Sequence, residues 1–249
     1  MVAKFGDFVF EGVKKVRKHY FNIEKFLDFT NAETQYWLGF IYADGYISKY
    51  FIRLYLSEQD SEHLKKFINF AELNDMIRFE KPKNRFSQKR ACWVKINSVQ
   101  LINSLYAKGY DKYNFTLPDI LLYSPHFWRG FIDGDGTFCF SLNKRKKNGK
   151  IYKAGIFQII IYGYEPILQM FKTFAMSYIP DIKIQIYYRN DRNYPPNFKE
   201  AHTSNKKAFL LAKILYNKAS IFLERKKQIF DKAICYSEHS NWFANRLKR

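Results

Sequence analysis

Few residues of this 249-residue chain are cysteine, acidic or part of a long apolar run, and each shortage excludes a class of protein. The three cysteines are odd in number and widely spaced, which excludes a disulfide framework and a Cys-x-x-Cys zinc site. The longest apolar stretches, near residues 37–43 and 156–162, are much shorter than a membrane span. The chain also opens without the apolar segment of a signal peptide, and we therefore expect an intracellular protein.

Basic residues outnumber acidic ones, 42 Lys and Arg against 23 Asp and Glu, and the net charge is +19. A charge of this size predicts a polyanionic partner, either nucleic acid or an anionic membrane surface. Because no apolar stretch is long, the membrane is the weaker alternative. Part of the charge lies in a basic N-terminal arm, residues 1–29, and in a basic C-terminal tail, residues 236–249. The five histidines lie far apart, and we assign them no chemistry.

One apolar segment occurs twice in the chain. Its copies are residues 36–45, YWLGFIYADG, and residues 127–136, FWRGFIDGDG. Each copy is long enough for a helix, ends in Asp-Gly and carries two small residues four positions apart, which places them on one helix face. These small residues are Gly39 and Ala43 in the first copy and Gly130 and Gly134 in the second.

A glycine inside a helix costs about 1 kcal/mol relative to alanine, so these glycines need a compensating contact. We expect the two helices to pack along their small-residue faces, which would bring Asp44 near Asp135 at two negative helix ends. Like charges in that position are unfavourable unless a divalent cation lies between them. Hard oxygen ligands without His or Cys indicate Mg²⁺ or a similar ion such as Mn²⁺.

A single apolar helix that ends in Asp-Gly is equally typical of a core helix with a glycine cap. Two copies within a strongly basic chain instead favour a metal-binding site formed by the two aspartates. The paired segments resemble the motifs of LAGLIDADG homing endonucleases of the dodecapeptide type, and the resemblance covers roughly residues 20–235.

This resemblance implies specific roles for residues at and beside the motifs. It makes Asp44 and Asp135 the catalytic metal ligands, with further metal contacts at the preceding residues, Ala43 and Gly134. In the family a basic residue supports each active site, and by position these residues are Lys112 and Lys226. Tyr42 stands where the second motif has Asp133, but the family carries its catalytic acid two positions later, so this departure leaves cleavage intact.

The order of the predicted elements repeats between a first half, residues 30–123, and a second half, residues 124–235. Residues 30–33 have the form of a capping box at the first motif helix, and Gly45 would end that helix. Ser124 followed by Pro125 is a typical start for the second motif helix. We predict an α+β fold of two pseudo-symmetric α-β-β-α-β-β-α halves, with the motif helices at their interface.

The family resemblance implies that two antiparallel sheets form a saddle over the DNA major groove. Strand alternation predicts which side chains face that groove, although each of them could also be an ordinary solvated strand residue. In the first half they are Arg53, Tyr55, Arg78, Trp93 and Lys95, and in the second half they are Gln158, Lys183, Gln185, Tyr187 and Arg189.

A basic run, Lys144, Arg145, Lys146 and Lys147, lies in a predicted loop between the first two strands of the second half. Such a loop is either a solvated hairpin tip or a phosphate contact, and the overall charge favours contact.

Together these features predict a site-specific, divalent-metal-dependent endonuclease that cuts both strands of a long, non-palindromic DNA site. We expect a monomer, since one chain supplies both motifs, and an intron-encoded or free-standing protein, since its ends lack protein-splicing residues. The alternatives are a maturase of the same fold that binds group I intron RNA, and a DNA-binding regulator without cleavage.

Overall fold

The computed structural model describes residues 20–81, 90–147, 149–188 and 197–240. Most of the predicted N-terminal arm and the end of the predicted C-terminal tail lie outside these residues, as does Arg189. Within the described residues, no helix combines the length and the apolar character needed to cross a membrane.

The first half begins with a short helix and then the first motif helix. Its elements are α1 (Glu24–Leu27), α2 (Ala32–Asp44), β1 (Gly45–Ile47), β2 (Phe51–Ser57), α3 (Ser61–Ala71), β3 (Arg78–Glu80), β4 (Ala91–Asn97) and α4 (Val99–Ala107). A 3₁₀ turn, Glu58–Asp60, precedes α3, and a short connecting helix, α5 (Asp119–Leu122), leads into the second half.

From its motif helix onwards, the second half repeats this order, with much longer first and second strands and a further helix at its end. Its elements are α6 (Pro125–Asp135), β5 (Gly136–Lys147), β6 (Lys150–Tyr164), α7 (Glu165–Tyr178), β7 (Gln185–Tyr188), β8 (Phe198–Ser204), α8 (Asn205–Tyr216) and α9 (Glu224–Ser240). The predicted α+β class and the repeated α-β-β-α-β-β-α order are confirmed.

Each half contains one four-stranded antiparallel sheet, with strand order β1-β2-β4-β3 in the first half and β5-β6-β8-β7 in the second. One face of each sheet is covered by helices, and the other face is open. Alternation along β2 buries Ile52, Leu54 and Leu56, while Arg53 and Tyr55 lie on the opposite face. The helices pack against the apolar faces, so both open faces are available to a ligand.

The start of α2 differs from the predicted capping box. Asn31, not Thr30, is the N-cap residue, and its side-chain oxygen accepts hydrogen bonds from the main-chain nitrogens of Glu33 at 2.8 Å and Thr34 at 3.1 Å. The Thr30 hydroxyl instead donates to the Asp28 carboxylate at 2.6 Å. The Ser124 cap of α6 is confirmed, because its hydroxyl oxygen accepts from the main-chain nitrogens of His126 and Phe127, both at 3.1 Å.

Gly45 follows α2 for a different reason than the predicted glycine cap. Its φ of −76° and ψ of 137° are extended, so the chain passes directly from helix to strand. A Cβ on Gly45 would lie 2.4 Å from the Ile41 carbonyl oxygen, and one on Gly136 would lie 2.8 Å from the Ile132 carbonyl oxygen. Both positions therefore require glycine for close packing and not for a left-handed conformation.

Two further differences concern the second half. The basic run predicted to lie in a loop forms the end of β5, which pairs with β6 as far as Lys147 opposite Lys150. Helix α9 is absent from the predicted elements, and the predicted boundary at residue 235 falls inside it.

Candidate active site and nucleic-acid interface

Helices α2 and α6 pack with their backbones in direct contact. A Cβ on Gly39 would lie 1.9 Å from the Phe127 carbonyl oxygen, and a Cβ on Gly130 would lie 1.9 Å from the Tyr36 carbonyl oxygen. One turn later, a Cβ on Gly134 would lie 2.5 Å from the Cβ of Ala43. The four small residues thus form the predicted interface, and their reciprocal contacts indicate a pseudo-twofold axis between the halves.

This packing places Asp44 and Asp135 together at the C-terminal ends of the two helices. Burial raises the pKa of Asp44 to about 7, and the negative charge of Asp135 contributes to that rise, while Lys226 and Lys112 oppose it. Burial also raises the pKa of Asp135, against the lowering effect of Lys112 and Lys226. Two carboxylates that resist ionisation side by side form a site that favours added positive charge.

The two predicted lysines support this site in the same way. Lys112 Nζ donates hydrogen bonds to the carbonyl oxygens of Ala43 at 2.9 Å and Gly45 at 2.7 Å, which flank Asp44. Lys226 Nζ donates to the carbonyl oxygens of the residues that flank Asp135, Gly134 at 3.1 Å and Gly136 at 2.7 Å. The structure therefore brings together all four residues predicted to be catalytic.

Lys226 is held more tightly than Lys112. It also donates to the carbonyl oxygens of Ile132 at 2.7 Å and Asp133 at 2.6 Å, and only 3% of its surface is exposed. Burial lowers the pKa of Lys226 to about 8, partly offset by Asp133, and burial also lowers the pKa of the half-buried Lys112.

We predicted Ala43 and Gly134 as metal contacts, and the carbonyl oxygens of both residues accept hydrogen bonds from these lysines. Within the described part of the chain, no group of three or more His, Cys, Asp and Glu side chains is arranged to hold a metal ion. The protein would therefore supply two carboxylates, which fits Mg²⁺, because Mg²⁺ is typically bound by one or two carboxylates together with phosphate oxygens and water.

Sequence reasoning missed a buried polar network beside the site. Asp133, which is 1% exposed, accepts hydrogen bonds from the Tyr36 hydroxyl and from the main-chain nitrogen of Leu223, both at 2.8 Å. Arg129, which is 2% exposed, donates to the carbonyl oxygens of Ile221 at 2.9 Å and Leu215 at 2.8 Å. The sequence signal was the second motif's polar residues, Arg129 and Asp133, where the first has Leu38 and Tyr42.

The open face of the first sheet carries cations beside aromatic rings. The register places Arg53 between Tyr46 and Lys95, and places Trp93 between Tyr55 and Arg78. The Arg78 guanidinium lies 4.9 Å from the Trp93 ring centre, and the Arg53 guanidinium lies 5.7 Å from that of Tyr46. All five residues predicted for this face are on it.

Acidic side chains also lie on the sheet faces, and sequence reasoning missed them. Glu80 accepts a hydrogen bond from the Trp93 indole nitrogen at 2.8 Å in the first half. In the second half, Glu200 lies 3.0 Å from His202 Nε2, and the two residues pair with Tyr187 and Gln185 respectively. These carboxylates hold neighbouring polar groups in place.

The second sheet presents amides where the first presents guanidinium groups. Gln158 of β6 pairs with Ser204 of β8, and Gln185 accepts a short hydrogen bond of 2.5 Å from the Tyr187 hydroxyl. Lys183 is exposed but precedes β7, so its predicted place within a strand is wrong. Lys144 and Lys146 are exposed near the tip of the long β5–β6 hairpin.

No protein-family model matches this sequence, and no curated protein matches it. Solved structures do match. LAGLIDADG meganuclease I-AabMI bound to uncleaved DNA aligns with a TM-score of 0.55 at 13% identity, over 85% of this chain and 92% of that chain. LAGLIDADG homing endonuclease I-SmaMI bound to cleaved DNA aligns with a TM-score of 0.53 at 13% identity, over 86% and 94%.

I-SmaMI bound to its uncleaved DNA target in the presence of calcium ions aligns with a TM-score of 0.53 at 15% identity, over 85% of this chain and 92% of that chain. This chain has the LAGLIDADG homing endonuclease fold. At such low identity the likeness extends to the fold alone. The repeated segments of this chain, residues 36–45 and 127–136, form most of α2 and α6, and Asp44 and Asp135 are the last residues of these helices.

Proposed function

We propose that this chain is a site-specific DNA endonuclease that cuts both strands with the help of a divalent cation. The observation that carries the proposal is the pairing of Asp44 with Asp135 at two helix ends, each backed by a lysine on the flanking carbonyls. A fold that only bound DNA would not need two partly buried carboxylates of raised pKa beside each other at the ends of its interface helices.

Mg²⁺ or Mn²⁺ fits this pair of carboxylates. When bound, such an ion lowers the pKa of a coordinated water and stabilises the charge that develops on a scissile phosphate. Asp44 and Asp135 would hold the cation, and phosphate oxygens and water would complete its coordination. Because burial raises the pKa of Asp44 to about 7, metal binding displaces a proton below that pH, and we expect metal affinity to rise as the pH rises through 7.

The two lysines have a structural and an electrostatic part in this mechanism. By binding the carbonyls on both sides of each aspartate, they fix the main chain that carries the carboxylate. Their charge lies beside the carboxylates, where it also favours the negative charge of a phosphate in the transition state. We infer that one lysine and its neighbouring aspartate serve each strand.

The two open sheet faces would bind the DNA on either side of the cleavage site. A net charge of +19 favours the phosphate backbone, and the Arg, Lys and Gln side chains on these faces carry donors that base edges accept. The faces differ in composition, so the two half-sites need not be alike, and the target would be long and non-palindromic. One chain carries both aspartates, which supports action as a monomer.

Neither a maturase nor a DNA-binding regulator requires the aspartates and lysines at the ends of α2 and α6. A protein that only bound RNA or DNA could lose either aspartate or either lysine without loss of function, whereas this chain retains all four in matching geometry. We therefore favour the nuclease. Intron encoding and a free-standing gene both agree with this proposal.

Selection from a plasmid library of randomised sites tests the proposal. The purified protein should linearise a small subset of plasmids in Mg²⁺, and sequencing should recover one long asymmetric site. EDTA should abolish linearisation and leave binding to the selected site measurable by gel shift. If the protein enriches one site from the same library by binding but never linearises plasmids that carry this site in Mg²⁺ or Mn²⁺, the chain is a binding protein and the proposal is wrong.

A further inference from the structure

Asp133 is a buried carboxylate that the mechanism above does not use. Its Oδ2 accepts from the Tyr36 hydroxyl and from the Leu223 main-chain nitrogen, both at 2.8 Å. The Tyr36 hydroxyl also lies 2.9 Å from His63 Nε2. Since the hydroxyl proton goes to Asp133, the histidine nitrogen is the donor. Asp133 thus ties α2 and α3 of the first half to the residue that precedes α9.

That residue lies one helical turn from Lys226. The Lys226 main-chain nitrogen donates to the Leu223 carbonyl oxygen at 3.0 Å, so a shift of Leu223 would move the lysine with it. The Lys226 ammonium in turn donates to the Asp133 carbonyl oxygen at 2.6 Å. Asp133 therefore contacts this segment twice, through its side chain at Leu223 and through its main chain at Lys226.

Residues of the first half hold the same turn of α9 from the other side. Arg225 Nε lies 3.1 Å and 3.2 Å from the two carboxylate oxygens of Asp60, and Lys66 Nζ lies 2.9 Å from Glu224. The Asp60 side chain is 9% exposed and that of Arg225 is 49% exposed, so only the carboxylate end of this contact is shielded from water. The lysine of the second half is thus positioned by both halves.

The corresponding motif position in the first half is Tyr42, whose hydroxyl donates to the Asp111 carbonyl oxygen at 3.4 Å. Asp111 immediately precedes Lys112. In both halves, therefore, the residue two positions before the motif aspartate contacts the main chain of the segment that carries the supporting lysine. The bond in the second half is shorter and is made by a charged acceptor, and such bonds are stronger.

We propose that Asp133 is a positioning residue for Lys226. Its carboxylate accepts a hydrogen bond from the Leu223 main-chain nitrogen and so fixes the start of α9. The inference rests on the proposed nuclease function. It has a consequence that simple destabilisation of the fold does not share. Loss of the acceptor should slow cleavage of the strand served by Lys226 and spare the strand served by Lys112, so nicked DNA should accumulate.

Two substitutions at this position separate an acceptor from a charge. Asp133→Leu removes the acceptor at similar size, whereas the amide oxygen of Asp133→Asn can accept the same two hydrogen bonds. A third variant, Asp60→Ala, removes the Arg225 contact by which the first half holds the same turn of α9. It leaves Asp133 in place, so its result does not depend on whether Asp133→Leu folds. Asp60 makes no side-chain cap on α3, so its loss leaves that helix start intact.

Single-turnover cleavage of a linear duplex with a different fluorophore on each strand gives one rate constant per strand. We expect Asp133→Leu to slow one strand by about 10²-fold and Asp60→Ala to slow the same strand by about tenfold, since small misplacements of a supporting group have effects of this size. Asp133→Asn should cut both strands within a few-fold of wild type.

Equal slowing of both strands by Asp133→Leu and Asp60→Ala would overturn the inference, as would an Asp133→Asn variant as impaired as Asp133→Leu. If Asp133→Leu does not fold, the strand bias of Asp60→Ala decides the matter. A wild-type protein that cuts neither strand would instead refute the proposed function, and the inference with it.

Discussion

The two halves hold equivalent lysines by different means. Lys112 lies in a connecting segment of the first half, is half-buried and donates to two carbonyl oxygens. Lys226 lies on α9, is 3% exposed and donates to four carbonyl oxygens. What the halves share is the pair of carbonyls that flank each aspartate, and what differs is the scaffold behind the ammonium.

The contrast between the two lysines separates the features of the site that both halves share from those that differ. Three features recur in both halves: the aspartate at the helix end, two small residues on one helix face, and a lysine bonded to the carbonyls that flank the aspartate. The segments that carry the lysines share no secondary structure. A duplicated fold can therefore keep the geometry of a site while the supporting structure diverges.

Substitution of the two lysines should separate stability from cleavage. Lys226→Met would leave four carbonyl oxygens without their buried donor, and we expect it to cost about 3 kcal/mol or more in the free energy of unfolding. Lys112→Met should cost about 1–2 kcal/mol. Both should slow cleavage by about 10²-fold, since each removes a charge beside the reacting phosphate.

Urea denaturation and single-turnover cleavage at saturating protein give the two quantities. DNA affinity, measured by gel shift, should change far less than the rate, because a group that acts on the transition state need not hold the ground state. If each lysine variant reduced rate and affinity in equal proportion, both residues would be ordinary phosphate contacts. Equal decreases in stability would refute the contrast between the halves.

An exchange of one methyl group across the helix interface tests the pseudo-twofold packing. Gly134→Ala places a Cβ 2.5 Å from the Cβ of Ala43, and we expect the free energy of unfolding to fall by about 1–3 kcal/mol. Ala43→Gly removes that neighbour, so the double variant should recover most of the stability. A double-mutant cycle by urea denaturation measures the coupling between the two positions. Additive effects would show that the helices do not pack as described.

Base preference should differ between the two half-sites. Arg53 on the first sheet carries the donors that guanine accepts, and Gln158 on the second sheet matches adenine. Arg53→Ala and Gln158→Ala should each lower discrimination by about 1–3 kcal/mol at one base pair, in opposite half-sites. Binding to a library of single-base variants of the selected site locates each effect. Changes in the same half-site would contradict the assignment of one sheet to each half-site.

The smallest expected effect concerns the β5–β6 hairpin of the second half, whose strands are much longer than those of its counterpart in the first half, β1–β2. Replacement of Lys144, Arg145, Lys146 and Lys147 by Ser should weaken binding to all sequences alike. It should also flatten the plot of log affinity against log salt by about 0.9 for each phosphate that the hairpin no longer neutralises. The matched control replaces four helix lysines by Ser, Lys65, Lys172, Lys213 and Lys232. Slopes that change equally in both variants would reflect total charge only.

Local pattern was sufficient for much of the fold. Alternation along β2 and β4 correctly separated Ile52 and Val94 from Arg53 and Lys95, because one face of each strand is buried. The repeated small residues correctly predicted the contact between α2 and α6, because glycine is costly in a helix unless a neighbour needs the space.

Features that depend on distant partners were not predictable in this way. Helix α9 begins with a charged stretch, Glu224 to Lys227, in which Lys226 is buried only because the carbonyls of α6 receive its ammonium. The basic run at residues 144–147 has no alternation of apolar and polar residues that would predict a strand. It nevertheless forms the end of β5, because it pairs with β6. The acceptor role of Asp133 depends on Leu223, 90 residues away in the chain.

In the proposed function, Asp44 and Asp135 together bind the cation that DNA cleavage requires. The most direct test of this role is the cleavage of a plasmid that carries the selected site by wild type, Asp44→Asn and Asp135→Asn over a Mg²⁺ titration, with DNA affinity measured in parallel. We expect wild type alone to produce linear plasmid, and both variants to bind the site within a few-fold of wild type, since each substitution removes a metal ligand and keeps the shape of the helix end. Full double-strand cleavage by both variants in Mg²⁺ would contradict the account.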